Sequence, residues 1–161
     1  MSVLVPLVTV DGIDSILLTK RSIHLRNHRG EICFPGGKKD ETDENSEKTA
    51  LRETEEEIGI RKEDIEIWSP LKSVVRRQRD FLVTPFVGRI PENALHNLKI
   101  QQSEVQSVFS VPLEELCHVA QYTKFLAPKI KYTLPVFESK EFKITTMLQM
   151  NICIQLNEFG V

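Results

Sequence analysis

Arg52-Glu53-Thr54-Glu55-Glu56-Glu57-Ile58-Gly59-Ile60 carries the strongest structural signal in the chain. At 100° per residue, a helix here places Glu53, Glu56 and Glu57 within an arc of about 100°. Leu51, Thr54 and Ile58 share another face, with Ala50 beside them, at the spacing of a core-facing stripe. Asn45 or Ser46 can cap the helix at its start. Gly59 stands where a left-handed C-terminal residue is wanted.

The acidic face works against the helix that bears it. It lies near the C-terminus, where the macrodipole already disfavours negative charge. Like charges four residues apart cost a further few tenths of a kcal/mol. A hard divalent cation reverses that sign, because Mg²⁺ takes carboxylate oxygens together with water and phosphate. The plainer alternative is a solvated acidic face, relieved by Lys48 and Arg52.

Outward from the helix, residues 22–45 form a long polar stretch around Pro35-Gly36-Gly37. A loop of that length is uncommon in a compact domain unless it is functional. Upstream, Val3–Val10 and Ser15–Arg21 read as strands joined at Asp11-Gly12, a hairpin-turn dipeptide. Downstream, Ile65–Val75, Phe81–Arg89, Val105–Val111 and Lys131–Phe137 read as strands. Pro112–His118 reads as a short helix and Thr145–Leu156 as a terminal one. Strands around two helices, without strict alternation, predict a mixed α/β sandwich.

Composition sets the outer limits. The chain has 161 residues, 40% hydrophobic and 27% charged, which fits one globular domain with its own core. No apolar run reaches the ~18 residues of a membrane span. The net charge of −2, from 21 basic and 23 acidic residues, argues against a nucleic-acid partner. Three widely spaced cysteines, Cys33, Cys117 and Cys153, fit reduced intracellular thiols. No targeting signal is visible at either end. The chain begins and ends abruptly at expected elements, and a truncated C-terminus is one reading of that.

The acidic helix resembles the Nudix box: Gly, five residues, Glu, seven residues, Arg-Glu, an aliphatic, any residue, Glu-Glu, any residue, Gly, an aliphatic. Arg52, Glu53, Glu56, Glu57, Gly59 and Ile60 match, and Glu44 falls at the spacing of the first glutamate. Thr54 replaces the aliphatic residue. Lys38 stands where the first glycine belongs, with Gly37 one residue early. A second set, Leu17-Leu18-Thr19-Lys20-Arg21-Ser22, Arg26, Gly30 and Phe34-Pro35-Gly36-Gly37, resembles the signature of the coenzyme A diphosphatase branch. The loop 36–43 looks like that branch too, which accounts for the extra residue. The runs at 84–88, 104–113 and 132–137 are similar to its animal members.

The resemblance implies a Nudix-type α/β/α sandwich with a mixed sheet, a single hydrolase domain over 1–161. It implies metal-dependent cleavage of coenzyme A or acyl-coenzyme A, to 3′,5′-ADP and 4′-phosphopantetheine or its acyl form. It also implies a mitochondrial or peroxisomal location. Glu53, Glu56 and Glu57 are the candidates for catalysis and for holding Mg²⁺ or Mn²⁺. Which of them takes the water proton is open, as are the roles of Glu44 and Glu104. Gly36 and Gly37 can let backbone approach phosphate. Arg21 and Arg26 can pair with phosphates through the guanidinium fork. Arg52 is expected to orient the glutamates. Two alternatives stand beside this one: hydrolysis of another nucleoside diphosphate derivative such as ADP-ribose, and a catalytically silent nucleotide-binding module. Free and acyl coenzyme A, and the oligomeric state, are not separable at this level.

Overall fold

In the computed structural model, Ser2–Val10 forms strand β1 and Ile13–Arg21 forms β2. The residues between them, Asp11 and Gly12, have φ of 50° and 77°. Two consecutive left-handed residues are what a tight hairpin of matching twist requires. The structure describes residues 1–76, 81–117, 121–127, 130–138 and 143–144. The terminal helix expected at 145–156 lies outside the described residues, as do residues 77–80 between two of the expected strands.

The hairpin is paired only from Leu7↔Ile16 to Val10↔Ile13. Beyond that the two strands part, and the long loop enters the gap. Ile32–Cys33 (β3) pairs with Thr19 and Lys20 of β2, and Gly36–Gly37 (β4) pairs with Ser2 and Val3 of β1. The Leu4 N–H donates to the Pro35 carbonyl at 2.9 Å. Gly36 has φ 148°, and a Cβ there would overlap the Ser2 carbonyl and the Val3 backbone. Only glycine lets this wedge lie flat against β1.

Ser46–Ile58 forms helix α1. Its cap is Asn45, whose side chain accepts from the Lys48 N–H at 2.9 Å. Gly59, at φ 75°, closes it with an N–H to the Glu55 carbonyl. Thr54 is fully buried, and its hydroxyl donates to the Ala50 carbonyl at 2.7 Å. That back-bond lets a threonine occupy an apolar place.

The rest of the sheet is mixed. The expected strand 65–75 is two strands, Glu66–Pro70 (β5) and Val74–Arg76 (β6), both antiparallel to Phe81–Arg89 (β7). The break falls at Leu71, which turns into the core and donates its N–H to the Pro85 carbonyl at 2.9 Å. β7 runs parallel to β1 from Ser2↔Thr84 to Leu7↔Arg89. A short helix, Glu92–Leu95 (α2), precedes Val105–Pro112 (β8), which pairs antiparallel with β2. Leu113–Cys117 (α3) follows. A separate antiparallel sheet joins Gln121–Ala127 (β9), Ile130–Glu138 (β10) and Lys143–Ile144 (β11).

β1 is central and buried on both sides, so it reads as a near-continuous apolar run rather than an alternation. Leu4 and Val8 pack with Leu17, Leu51, Ile58 and Phe86 under α1. Val3, Val5 and Leu7 pack on the opposite side with Ile16, Leu18, Phe34 and Val87. Each fully buried aliphatic side chain contributes about 1.5–3 kcal/mol. This two-sided core anchors α1 and the 32–37 wedge against the same end of β1.

Candidate active site

The C-terminal turn of α1 has no basic residue. Its last carbonyls are satisfied by backbone instead. The Lys99 N–H donates to the Ile58 carbonyl and the Gln101 N–H to the Glu57 carbonyl, both at 3.0 Å. A Cβ on Gly59 would lie 2.8 Å from the Lys99 nitrogen, so glycine also permits this close approach. The loop is then closed on itself, with the Glu104 and Val105 N–H groups both donating to the Gln101 carbonyl at 2.9 Å. The Ser22 N–H donates to the Glu104 carbonyl at 2.8 Å. The acidic end of the helix, the end of β2 and the loop carrying Glu104 are thereby tied together.

Glu57 is 2% exposed. The Gly36 N–H donates to its Oε2 at 3.2 Å, and the Arg21 guanidinium stands 3.7 Å from its Oε1. Burial pushes its carboxyl up to about 7, with the Glu53 and Glu104 charges adding to the rise and the Gly36 N–H and Arg21 opposing it. Glu53 is partly buried against Gly37, where any Cβ would overlap its carboxylate. Burial raises Glu53 as well, against the pull of Arg52. Glu56 differs: its side chain is 58% exposed. Burial thus separates three carboxylates that share a helical arc.

Arg52 organises the rim. It grips Asp43 with both ends of the fork, Nε to Oδ1 at 3.0 Å and Nη2 to Oδ2 at 3.1 Å. It also donates to the Lys38 carbonyl, to Glu53 at 3.1 Å and to Glu56 at 2.9 Å. Asp43 accepts the Asp40 N–H at 2.8 Å. Those donors, Arg52 first, hold its carboxyl well below the usual carboxylate range. Sequence reasoning missed Asp43. It had placed Glu44 at the first-glutamate position, yet Glu44 is exposed and Asp43, one residue earlier, is buried. A pair nine residues apart across a loop follows neither the 3.6 nor the 2.0 period, so only the run of turn-forming residues at 40–43 hinted at an ordered loop.

Of the residues singled out from sequence, Arg21, Gly36 and Gly37 converge with Glu53 and Glu57. Arg26 lies exposed in the loop after β2. Cys33 rests against the Thr19 hydroxyl at 3.2 Å, and burial pushes its thiol up, away from the reactive thiolate. Among the described residues no three carboxylate, imidazole or thiol side chains gather around one metal position. The donor chemistry still fits a hard divalent cation. Glu53 and Glu57 offer desolvated carboxylate oxygens that repel each other, while Arg52 holds Glu56 to the side.

A NUDIX domain model matches residues 1–133 of the chain. A Caenorhabditis elegans protein named Nudix hydrolase 3 is 61% identical over 145 residues, covering 89% of this chain and 60% of that protein. The human mitochondrial coenzyme A diphosphatase NUDT8 is 39% identical over 140 residues, covering 84% and 59%. The chain therefore spans about three-fifths of the length of these relatives. Among solved structures, a C. elegans Ap4A hydrolase in a binary complex superposes with a TM-score of 0.58 at 23% identity, over 70% of this chain and 80% of that one. At that identity the likeness concerns the fold.

Proposed function

Because this chain belongs to the Nudix family, we propose that it hydrolyses the diphosphate bond of coenzyme A or acyl-coenzyme A, releasing 3′,5′-ADP and 4′-phosphopantetheine or its acyl form. One observation carries this reading. Glu57 of the box is met by the Arg21 guanidinium and the Gly36 N–H, both from the upstream coenzyme A-type signature. The two motifs are one site, and the human relative's name supports the same substrate and a mitochondrial setting.

Glu53 and Glu57 would hold Mg²⁺ or Mn²⁺, with Glu56 joining when it leaves Arg52. The bound ion supplies charge neutralisation of the diphosphate and an acidified water. The protein's own contribution is placement. Arg21 and the Gly36 N–H hold the Glu57 carboxylate, and Asp43 holds the Arg52 fork that orients Glu53 and Glu56. One of the three glutamates receives the water proton. Arg21 and the exposed Arg26 would pair with phosphate oxygens, including the 3′-phosphate.

The test offers coenzyme A and ADP-ribose in competition with Mg²⁺ or Mn²⁺ present, and identifies products by mass spectrometry. The expected products are 3′,5′-ADP and 4′-phosphopantetheine, with activity lost in EDTA and restored by either ion. Consumption of ADP-ribose alone would overturn the substrate, and full turnover without metal would overturn the mechanism.

A further inference from the structure

A cleft of about 220 Å³ lies beside the Ser22–Glu104 contact, with Ser22, Ile23 and His24 on one side and Gln102, Val105 and Gln106 on the other. Each wall includes the residue that follows a group of the site already described. Ser22 follows Arg21, and Val105 follows Glu104. The Ser22 N–H to Glu104 carbonyl bond, 2.8 Å, joins the two walls. The β2–β8 ladder ends here at Arg21↔Val105, with an irregularity in register between Lys20 and Arg21. Such an irregularity redirects side chains and stops pairing, which opens the two segments apart beyond it.

The chemistry of the cleft differs from that of its neighbour. Among the described residues, no Asp, Glu, Lys or Arg lines it. Its polar groups are the exposed Gln102 and Gln106 carboxamides, a hydroxyl and an imidazole, set around buried Val105 and half-exposed Ile23. A carboxamide offers two N–H donors and a carbonyl acceptor, the complement of another amide. Phosphate calls for cations, which the lining lacks. An uncharged, amide-bearing and partly aliphatic group matches that lining.

We propose that this cleft binds the pantetheine arm of coenzyme A, with Gln102 and Gln106 pairing to its amides and Ile23 and Val105 packing on its aliphatic carbons. The assignment rests on the coenzyme A reading above and adds how that substrate is told from other diphosphates. The volume equals that of about seven liquid waters, enough for an amide and its flanking carbons and too little for the whole arm. The thiol end therefore projects beyond the cleft.

The direct test uses pantetheine itself, added without metal or turnover to the isotope-labelled protein. The side-chain amide resonances of Gln102 and Gln106 are expected to shift and saturate. Gln102→Ala and Gln106→Ala are each expected to weaken that binding and to raise KM for coenzyme A about three- to tenfold, the loss of one neutral hydrogen bond, with a smaller change in kcat. Carboxamide signals that stay still at millimolar pantetheine would overturn the cleft assignment even if coenzyme A is cleaved. A KM unchanged in both variants would do the same. Pantetheine that shifts both signals in a protein leaving coenzyme A intact would support the cleft and overturn the hydrolase reading instead.

Discussion

The two ends of α1 are built on opposite plans. At the N-terminus Asn45 caps the Lys48 N–H and Glu47 stands in the first turn. Both choices favour a helix whatever surrounds it. At the C-terminus the last turn carries Glu55, Glu56 and Glu57 and no cation. Local energetics oppose that turn, and it survives because distant backbone supports it. The 99–101 segment covers its carbonyls, and the 36–37 wedge supplies an N–H to Glu57. One end supports the fold, and the other places carboxylates at a cost in stability.

The sharpest way to test this contrast is Glu57→Gln. Turnover is expected to fall at least 100-fold, the scale of losing a catalytic carboxylate, while the metal-free protein gains stability. Burial holds the Glu57 carboxyl at about 7, above its ordinary 4.5. The folded state therefore binds that proton more tightly than the unfolded chain does. The charge costs nothing below pH 4.5, costs progressively more as pH rises to 7, and its full cost persists above. The gain in Glu57→Gln should follow that curve, reaching roughly 3 kcal/mol near pH 8. Denaturant titrations at pH 4 and pH 8 check it, and a gain equal at both values would refute the burial argument.

Gly59→Ala attacks the tertiary support itself. It forces φ 75° on a residue with a Cβ and drives that atom against the Lys99 backbone. A loss of about 2 kcal/mol is expected, together with reduced turnover as the 99–101 segment that supports the Glu57 carbonyl shifts. A variant with normal melting and normal kcat would show that the 99–105 segment does not hold the site.

Asn45→Ala probes the self-sufficient end. It should cost about 1 kcal/mol and lower Tm with kcat nearly unchanged, the reverse of Glu57→Gln. A kcat loss matching the Glu57 variant would erase the distinction between the ends. The smallest effect belongs to Glu55→Gln. This side chain shares the last turn but none of the contacts that hold Glu53 and Glu57, so stability should stay within about 0.5 kcal/mol and kcat within twofold. Damage comparable to Glu57→Gln would overturn the assignment of the inward face.

How much of this was legible beforehand follows the range of the interactions. The hairpin at Asp11-Gly12 and the helix from Asn45 to Gly59 were readable, because turn, cap and left-handed residues act within a few positions. β3 and β4 were not, since two residues carry no periodicity. β9 was missed as well, although its partner β10 was anticipated as a strand. The break at Leu71 was hidden inside an apolar run that reads equally well as one strand.

By itself the sequence determined the helix, its caps, the central apolar strand and the family, because each rests on spacing within a short window. Only the tertiary structure decided which glutamate is buried. Glu56 and Glu57 are neighbours on one arc, yet one is 58% exposed and the other 2%. The difference comes from the 36–37 wedge, whose Gly36 lies 21 residues from Glu57 in the chain and donates its N–H to that carboxylate. It likewise chose Asp43 over Glu44 as the partner of Arg52, because the fold of the loop presents only one of them to the guanidinium. Desolvation and bidentate pairing depend on what arrives from elsewhere in the chain, and no local pattern encodes that.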